Sequence, residues 1–169
     1  ITLDLVGMTL EQLVAVARDG ARVRFSREAR RRIAAAGLSN RISVIQRDYR
    51  DLEGQYDKLV SIEMVEAVGH HYLPTYFSQC SRLLKPDGMM LLQSITIADQ
   101  HYRRALKEVD FIQRYIFPGG CLPSLGAMCG AVRRKTDLRI SHLQDLSPHY
   151  ARTLAEWRQR FFDRVERIR

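Results

Sequence analysis

Lysine is nearly missing from this chain: of its 27 basic residues four are lysine and 23 are arginine. Cysteine is scarce too. Cys80, Cys121 and Cys129 are odd in number and lack close metal-ligand spacing, which excludes a disulfide framework and a zinc cluster and suits a reducing compartment. No apolar run approaches the ~18 residues that span a bilayer. The opening ITLDLVGMTLEQ has no basic stretch followed by a cleavage site, so the expected location is cytoplasmic. Also absent are HEXXH, a Walker loop, a GxSxG elbow and a supported Cys-His pair, so no motif points to a zinc peptidase, a P-loop enzyme or nucleophilic catalysis.

What is there is the composition of a globular α/β protein. With 169 residues and 46% hydrophobic content the chain can bury one core, and neither repeat nor linker divides it; a single domain over 1–169 is expected. Strand patterns fall at Ile1–Val6, Ala21–Phe25, Ile42–Gln46, Lys58–Ile62, Met89–Ile97 and Leu138–Leu143. Helical patterns fall at Leu10–Arg18, Ser26–Ala36, Leu73–Leu84 and Leu125–Arg134, with one more at the C-terminus. Lys85-Pro86-Asp87-Gly88 reads as a turn. Alternating βα units predict a doubly wound, mostly parallel sheet.

The net charge of +8 creates a field that attracts polyanions, either nucleic acid or an anionic membrane surface. Arg27, Arg30, Arg31 and Arg32 share one helix. The C-terminal TLAEWRQRFFDRVERIR mixes Trp157, Phe161 and Phe162 with arginine, as an interfacial helix does and as a surface helix packed on a core also does.

Ligands of open α/β sheets bind at the carboxyl ends of strands. Three such places carry chemistry. Asp48 and Tyr49 can hydrogen-bond and cover a purine, or Asp48 can simply cap a turn. The segment YDKLVSIEMVEAVG places Ser61 and Glu63 at a strand exit and Glu66 one turn later, a carboxylate among Met64, Val65 and Val68 that needs a partner. His70 and His71 are adjacent and cannot both face one ion from a helix, so loop or cap roles are expected. Finally, Leu106, Val109, Ile112 and Ile116 repeat at helical spacing and run into Pro118-Gly119-Gly120, whose glycines permit backbone that other residues resist.

YDKLVSIEMVEAVGHHYLPTYFSQCSRLLKPDGMMLLQSITI followed by FIQRYIFPGGCLPSL resembles the cyclopropane-fatty-acyl-phospholipid synthase and mycolic acid cyclopropane synthase family. The likeness covers at least Ala34–Trp157. It implies a class I, Rossmann-like methyltransferase fold, here incomplete at both ends, that uses S-adenosylmethionine to methylate the double bond of an unsaturated phospholipid acyl chain. The product is a cyclopropane or a methyl-branched chain. It further implies a bicarbonate ion held by Glu66, Gln93, Ile95 and Tyr150, with Gln93 standing where many members have histidine. Of the family's Gly-rich cofactor turn, Asp4 and Gly7 remain in LDLVGMTLEQ; with Asp48, Tyr49 and Ser61 they form the expected cofactor contacts. No metal is expected. The implied partners are unsaturated phospholipid acyl chains, the anionic inner surface of a membrane and a second copy of the chain, with nucleic acid disfavoured. Two alternatives stand beside this reading: a non-catalytic paralogue that binds lipid or a partner without its cofactor loop, and a methyltransferase-like nucleic-acid binder.

Overall fold

The computed structural model describes residues 2–3, 24–25, 27–43, 45 and 47–165. The chain divides into two compact units, residues 1–138 and 139–169. In the first, β1 (Thr2–Leu3) and β2 (Arg24–Phe25) pair in parallel, followed by α1 (Arg27–Ala35). The second parallel pair is β3 (Tyr56–Ile62) and β4 (Leu84–Gln93), joined through α2 (Leu73–Leu83). Next come α3 (Asp99–Ala105), a π-helical turn at Ile112–Ile116, and α4 (Leu125–Lys135). The second unit contains α5 (Ser147–Phe162).

The core grows from two helical stripes. In α2 the residues Leu73, Tyr76, Phe77, Cys80 and Leu83 recur every three to four positions and are all buried, while Pro74 sits in the first turn, where a missing N–H costs nothing. Met128 and Ala131 of α4 pack with them and with Val65, which is fully buried. Each of the larger apolar side chains contributes about 2–3 kcal/mol by leaving water. The start of α4 is held twice. Ser124 Oγ accepts from Ala127 N–H at 3.2 Å, and the Asp99 carboxylate accepts from Gly126 N–H at 3.0 Å, where the helix dipole favours negative charge.

Between β3 and β4 the register jumps: Tyr56 faces Leu84 and Lys58 faces Met89, so Lys85–Gly88 loop out between paired positions. The expected turn therefore lies inside β4. Gly88 is required there, because a Cβ would meet Lys85 O and Leu84 Cδ2 at 2.9 Å.

The structure departs from the sequence expectations in several places. Leu138–Leu143 forms no strand, and Ile42, Ser43 and Ile45 are not in one either. β4 ends at Gln93 rather than Ile97, although Ile97 keeps a parallel bridge to Ser124. The apolar series from Leu106 to Ile116 is not one helix. α3 stops at Ala105, and Asp110 and Gln113 then form a reciprocal cap: Gln113 N–H donates to Asp110 Oδ1 at 2.7 Å and Asp110 N–H to Gln113 Oε1 at 3.1 Å. That cap starts a new turn and resets the helix. The helix expected at Leu10–Arg18 lies outside the described residues.

Candidate active site

Glu66 sits in a 3-10 turn, Val65–Ala67, just past β3, with the buried Val65 anchoring the turn in the core. Its Oε1 accepts from the backbone N–H of Ile95 at 2.5 Å, a short charge-assisted bond. Its Oε2 is buried and has no hydrogen-bond partner among the described residues. Leaving a buried polar atom unpaired costs about 1–3 kcal/mol, and more when it is charged, so an orphan carboxylate oxygen marks a place for a donor from elsewhere.

The glycine turn lies directly against this residue. Cys121 N–H donates to the Glu66 carbonyl at 2.8 Å, Gly120 N–H donates to Phe117 O at 2.9 Å, and Gln113 Nε2 donates to Gly120 O at 3.0 Å. A Cβ on Gly120 would come within 3.0 Å of Phe117 O and 3.8 Å of Glu66 O. Pro118-Gly119-Gly120 thus allows the loop to approach the Glu66 turn by its backbone. Phe117 and Tyr115 flank it and are 62% and 52% exposed; the Arg114 guanidinium lies over the Tyr115 ring at 5.5 Å, so Phe117 is the more open aromatic face.

Gln93, at the end of β4, meets Glu63, at the exit of β3. Gln93 Nε2 donates to Glu63 Oε1 at 3.2 Å, and Glu63 N–H donates to Gln93 O at 2.9 Å. Glu63 has φ of 49°, the left-handed region, which costs a non-glycine residue about 1–3 kcal/mol. The expectation from sequence did not include this pairing. Its only written signal is a glutamate directly at a strand exit.

Two of the expected cofactor residues come together. Tyr49 and Ser61 line a largely apolar hollow of about 340 Å³, with Met64, Tyr76 and Cys80 among its other walls. Tyr76 Oη donates to Ser61 Oγ at 2.7 Å, and the Tyr49 ring meets Tyr76 edge-on. Burial pushes the Tyr76 hydroxyl up beyond its ordinary range and the Cys80 thiol up to about 11, so both remain protonated at neutral pH. Asp48 is otherwise engaged. Its Oδ1 accepts from Arg50 N–H at 2.9 Å and caps the turn Tyr49–Asp51, while Oδ2 pairs with the Arg50 guanidinium at 2.5 Å. Arg50 holds the Asp48 carboxyl down at about 2. Asp4 and Gly7 lie outside the described residues.

His70 occupies a 3-10 turn leading into α2, where a loop or cap role was expected, and its Nδ1 is 2.7 Å from the Tyr102 hydroxyl. Burial raises the Tyr102 hydroxyl to about 12 and also raises the Cys121 thiol. This contact ties the segment after Glu66 to α3, and nothing in the sequence spacing announced it. Tyr150 belongs to the second unit, on α5, where its ring meets Trp157 edge-on and is 43% exposed.

A family model described as mycolic acid cyclopropane synthetase matches residues 23–169. Tuberculostearic acid methyltransferase UfaA1 of Mycobacterium tuberculosis is 45% identical over 138 residues, covering 82% of this chain and 32% of that protein. The cyclopropane-fatty-acyl-phospholipid synthase of Escherichia coli is 35% identical over 120 residues, covering 71% of this chain and 30% of its own length. The chain thus spans about a third of the curated relatives it matches. Among solved structures, the cyclopropane synthase MmaA2 of M. tuberculosis superposes with a TM-score of 0.64 at 24% identity, over 89% of this chain and 58% of that one, and supports the fold. The mycolic acid cyclopropane synthase CmaA1, complexed with SAH and CTAB, gives 0.61 at 28% identity, over 85% and 56%. With parallel strands, crossover helices and the match over most of its length, the chain belongs to the mycolic acid cyclopropane synthetase family and has the α/β fold of S-adenosylmethionine-dependent methyltransferases.

Proposed function

We propose that the protein transfers a methyl group from S-adenosylmethionine to the double bond of an unsaturated fatty acyl chain of a phospholipid, giving a cyclopropane or methyl-branched product. The observation that carries this reading is Glu66: one oxygen is pinned by Ile95 N–H and the other is buried with no partner among the described residues. An alkene is itself the nucleophile, so such a site needs alignment, exclusion of water and a place for a proton more than an activated side chain. S-adenosylmethionine would supply the electrophilic methyl group. Tyr49 and Ser61 fit one end of it by lining the hollow beside β3. Asp48 would have to release Arg50 to join them.

A bicarbonate ion suits the orphan Oε2, since its hydroxyl is a donor and the carboxylate only accepts. Glu66 and Gln93 would hold it, and Ile95 would act by fixing Glu66. Phe117, and to a lesser extent Tyr115, presents an exposed aromatic face suited to positive charge developing on the acyl chain. The net charge of +8 favours docking at an anionic membrane surface from the cytoplasmic side, and a homodimer belongs to the same reading. The named lipid methyltransferases among the relatives favour this enzyme over a non-catalytic paralogue or a nucleic-acid binder.

The test is to incubate the protein with methyl-labelled S-adenosylmethionine and vesicles of unsaturated phosphatidylglycerol, then analyse the released fatty acids by mass spectrometry. Label in a chain extended by one carbon is expected. Cofactor binding without any labelled acyl product would overturn the substrate assignment.

A further inference from the structure

Among the described residues Glu63 is the one non-glycine position with positive φ, and it faces Gln93 through both main chain and side chain. We propose that Glu63 is a positioning residue for the neighbouring site: it fixes the orientation of the Gln93 amide and thereby sets what Gln93 offers to a ligand. The inference rests on the lipid methyltransferase reading above.

A glutamine amide is ambiguous by itself, because a half-turn exchanges its donor and acceptor ends. An ionised carboxylate removes the ambiguity, since it can only accept. Glu63 Oε1 lies 3.2 Å from Gln93 Nε2, so the amide nitrogen is turned toward Glu63 and the carbonyl oxygen is the end left over. The backbone bond from Glu63 N–H to Gln93 O, 2.9 Å, holds the two strand ends in register for that contact. Two residues further on, Ile95 N–H holds Glu66, so the same strand end orients both polar side chains of the site.

The consequence concerns the ligand. With Gln93 sharing one ligand with Glu66, the fixed groups are acceptors: the Gln93 carbonyl oxygen and the orphan Glu66 Oε2. A ligand that brings its own O–H, as bicarbonate does, can satisfy one of these acceptors, which carbonate or a halide cannot. Glycine would adopt φ of 49° without strain. A glutamate kept in this conformation is consistent with a role for its carboxylate, as strained backbone at functional sites generally is.

The experiment compares wild type, Glu63→Gly, Glu63→Gln, Gln93→His and the double variant Glu63→Gly with Gln93→His. Glu63→Gly is expected to lower kcat about tenfold, as loss of alignment does, with an unchanged KM for S-adenosylmethionine and a Tm equal to or above wild type. Glu63→Gln should fall between, because a glutamine partner both donates and accepts. In the double variant position 93 carries no amide to be oriented, so its rate should equal that of Gln93→His alone and show no further dependence on Glu63. In ¹⁵N-labelled protein, the Gln93 side-chain amide signal should shift in Glu63→Gly. An unchanged kcat in Glu63→Gly, an unshifted Gln93 amide, or a joint fall of kcat and Tm would each overturn the proposal. A wild type that makes no methylated acyl product would overturn the underlying functional reading and this inference with it; a wild type that turns over at the same rate as Glu63→Gly would overturn this inference alone.

Discussion

Two carboxylates, each at the start of a 3-10 turn, are treated in opposite ways. Asp48 has both oxygens on Arg50, one of them also capping its own turn, and is exposed. Glu66 has one oxygen on Ile95 N–H and the other buried with no partner among the described residues. Asp48 closes a local loop of bonds and asks for no further partner. Glu66 holds a desolvated acceptor in place at a cost, which is what a binding site does before its ligand arrives. The contrast separates a residue that shapes the backbone from one that is kept for chemistry, although both are acids at short 3-10 turns.

The contrast can be broken most forcefully at Glu66. Glu66→Gln keeps the acceptor for Ile95 N–H but removes the charge, and should lower turnover about a hundredfold with little change in affinity for S-adenosylmethionine; initial rates alongside calorimetric titration of the cofactor check both. A full rate would remove Glu66 from the site. Gln93→His should change the rate or the product ratio by a smaller factor, of about threefold to tenfold, since it alters a neighbouring ligand rather than the anchor. Gas chromatography of the product chains would reveal it, and an identical profile would make position 93 passive.

Stability effects are next in size. Tyr76→Phe removes the donor to Ser61 inside the core and should cost about 1 kcal/mol in urea denaturation, without the loss of rate seen at Glu66. The smallest effect belongs to Asp48→Asn. Arg50 lowers the Asp48 carboxyl from 3.8 to about 2 on folding, so its stabilising contribution is fully present above pH 4 and is lost as pH falls through 2. The Tm difference between wild type and Asp48→Asn should therefore be slight at pH 7 and close between pH 4 and pH 2. A gap that widens on acidification would show that the ion pair is not what holds this turn.

Much of this was legible in the residues because the signals are local. The stripe from Leu73 to Leu83, the serine and glycine around α4, and Pro118-Gly119-Gly120 each act on a few neighbouring peptide units, and the helices and the turn appear where those residues stand. The glycine turn, picked out by composition, does lie against Glu66, joined to it through Cys121 N–H. Strands were harder. Leu138–Leu143 alternates as a strand does, but a strand exists only through a partner, and the residue pattern does not say whether one is present. The break between α3 and the Ile112–Ile116 turn was written in Asp110 and Gln113, a capping pair hidden by apolar periodicity that continues across it.

The sequence by itself determined the family, the helices at Arg27–Ala35, Leu73–Leu83 and Leu125–Lys135, the parallel pairing of β3 and β4, and the identity of Glu66, Gln93, Ile95 and the glycine turn as residues to watch. Only the tertiary structure decided what those residues do to one another. It gave Ile95 N–H to one oxygen of Glu66 and no partner among the described residues to the other, turned the Gln93 amide toward Glu63, placed Glu63 in strained backbone, and paired His70 with Tyr102. These are contacts between residues about 30 positions apart, whose geometry depends on how β3, β4 and α2 pack, and no local propensity carries that information.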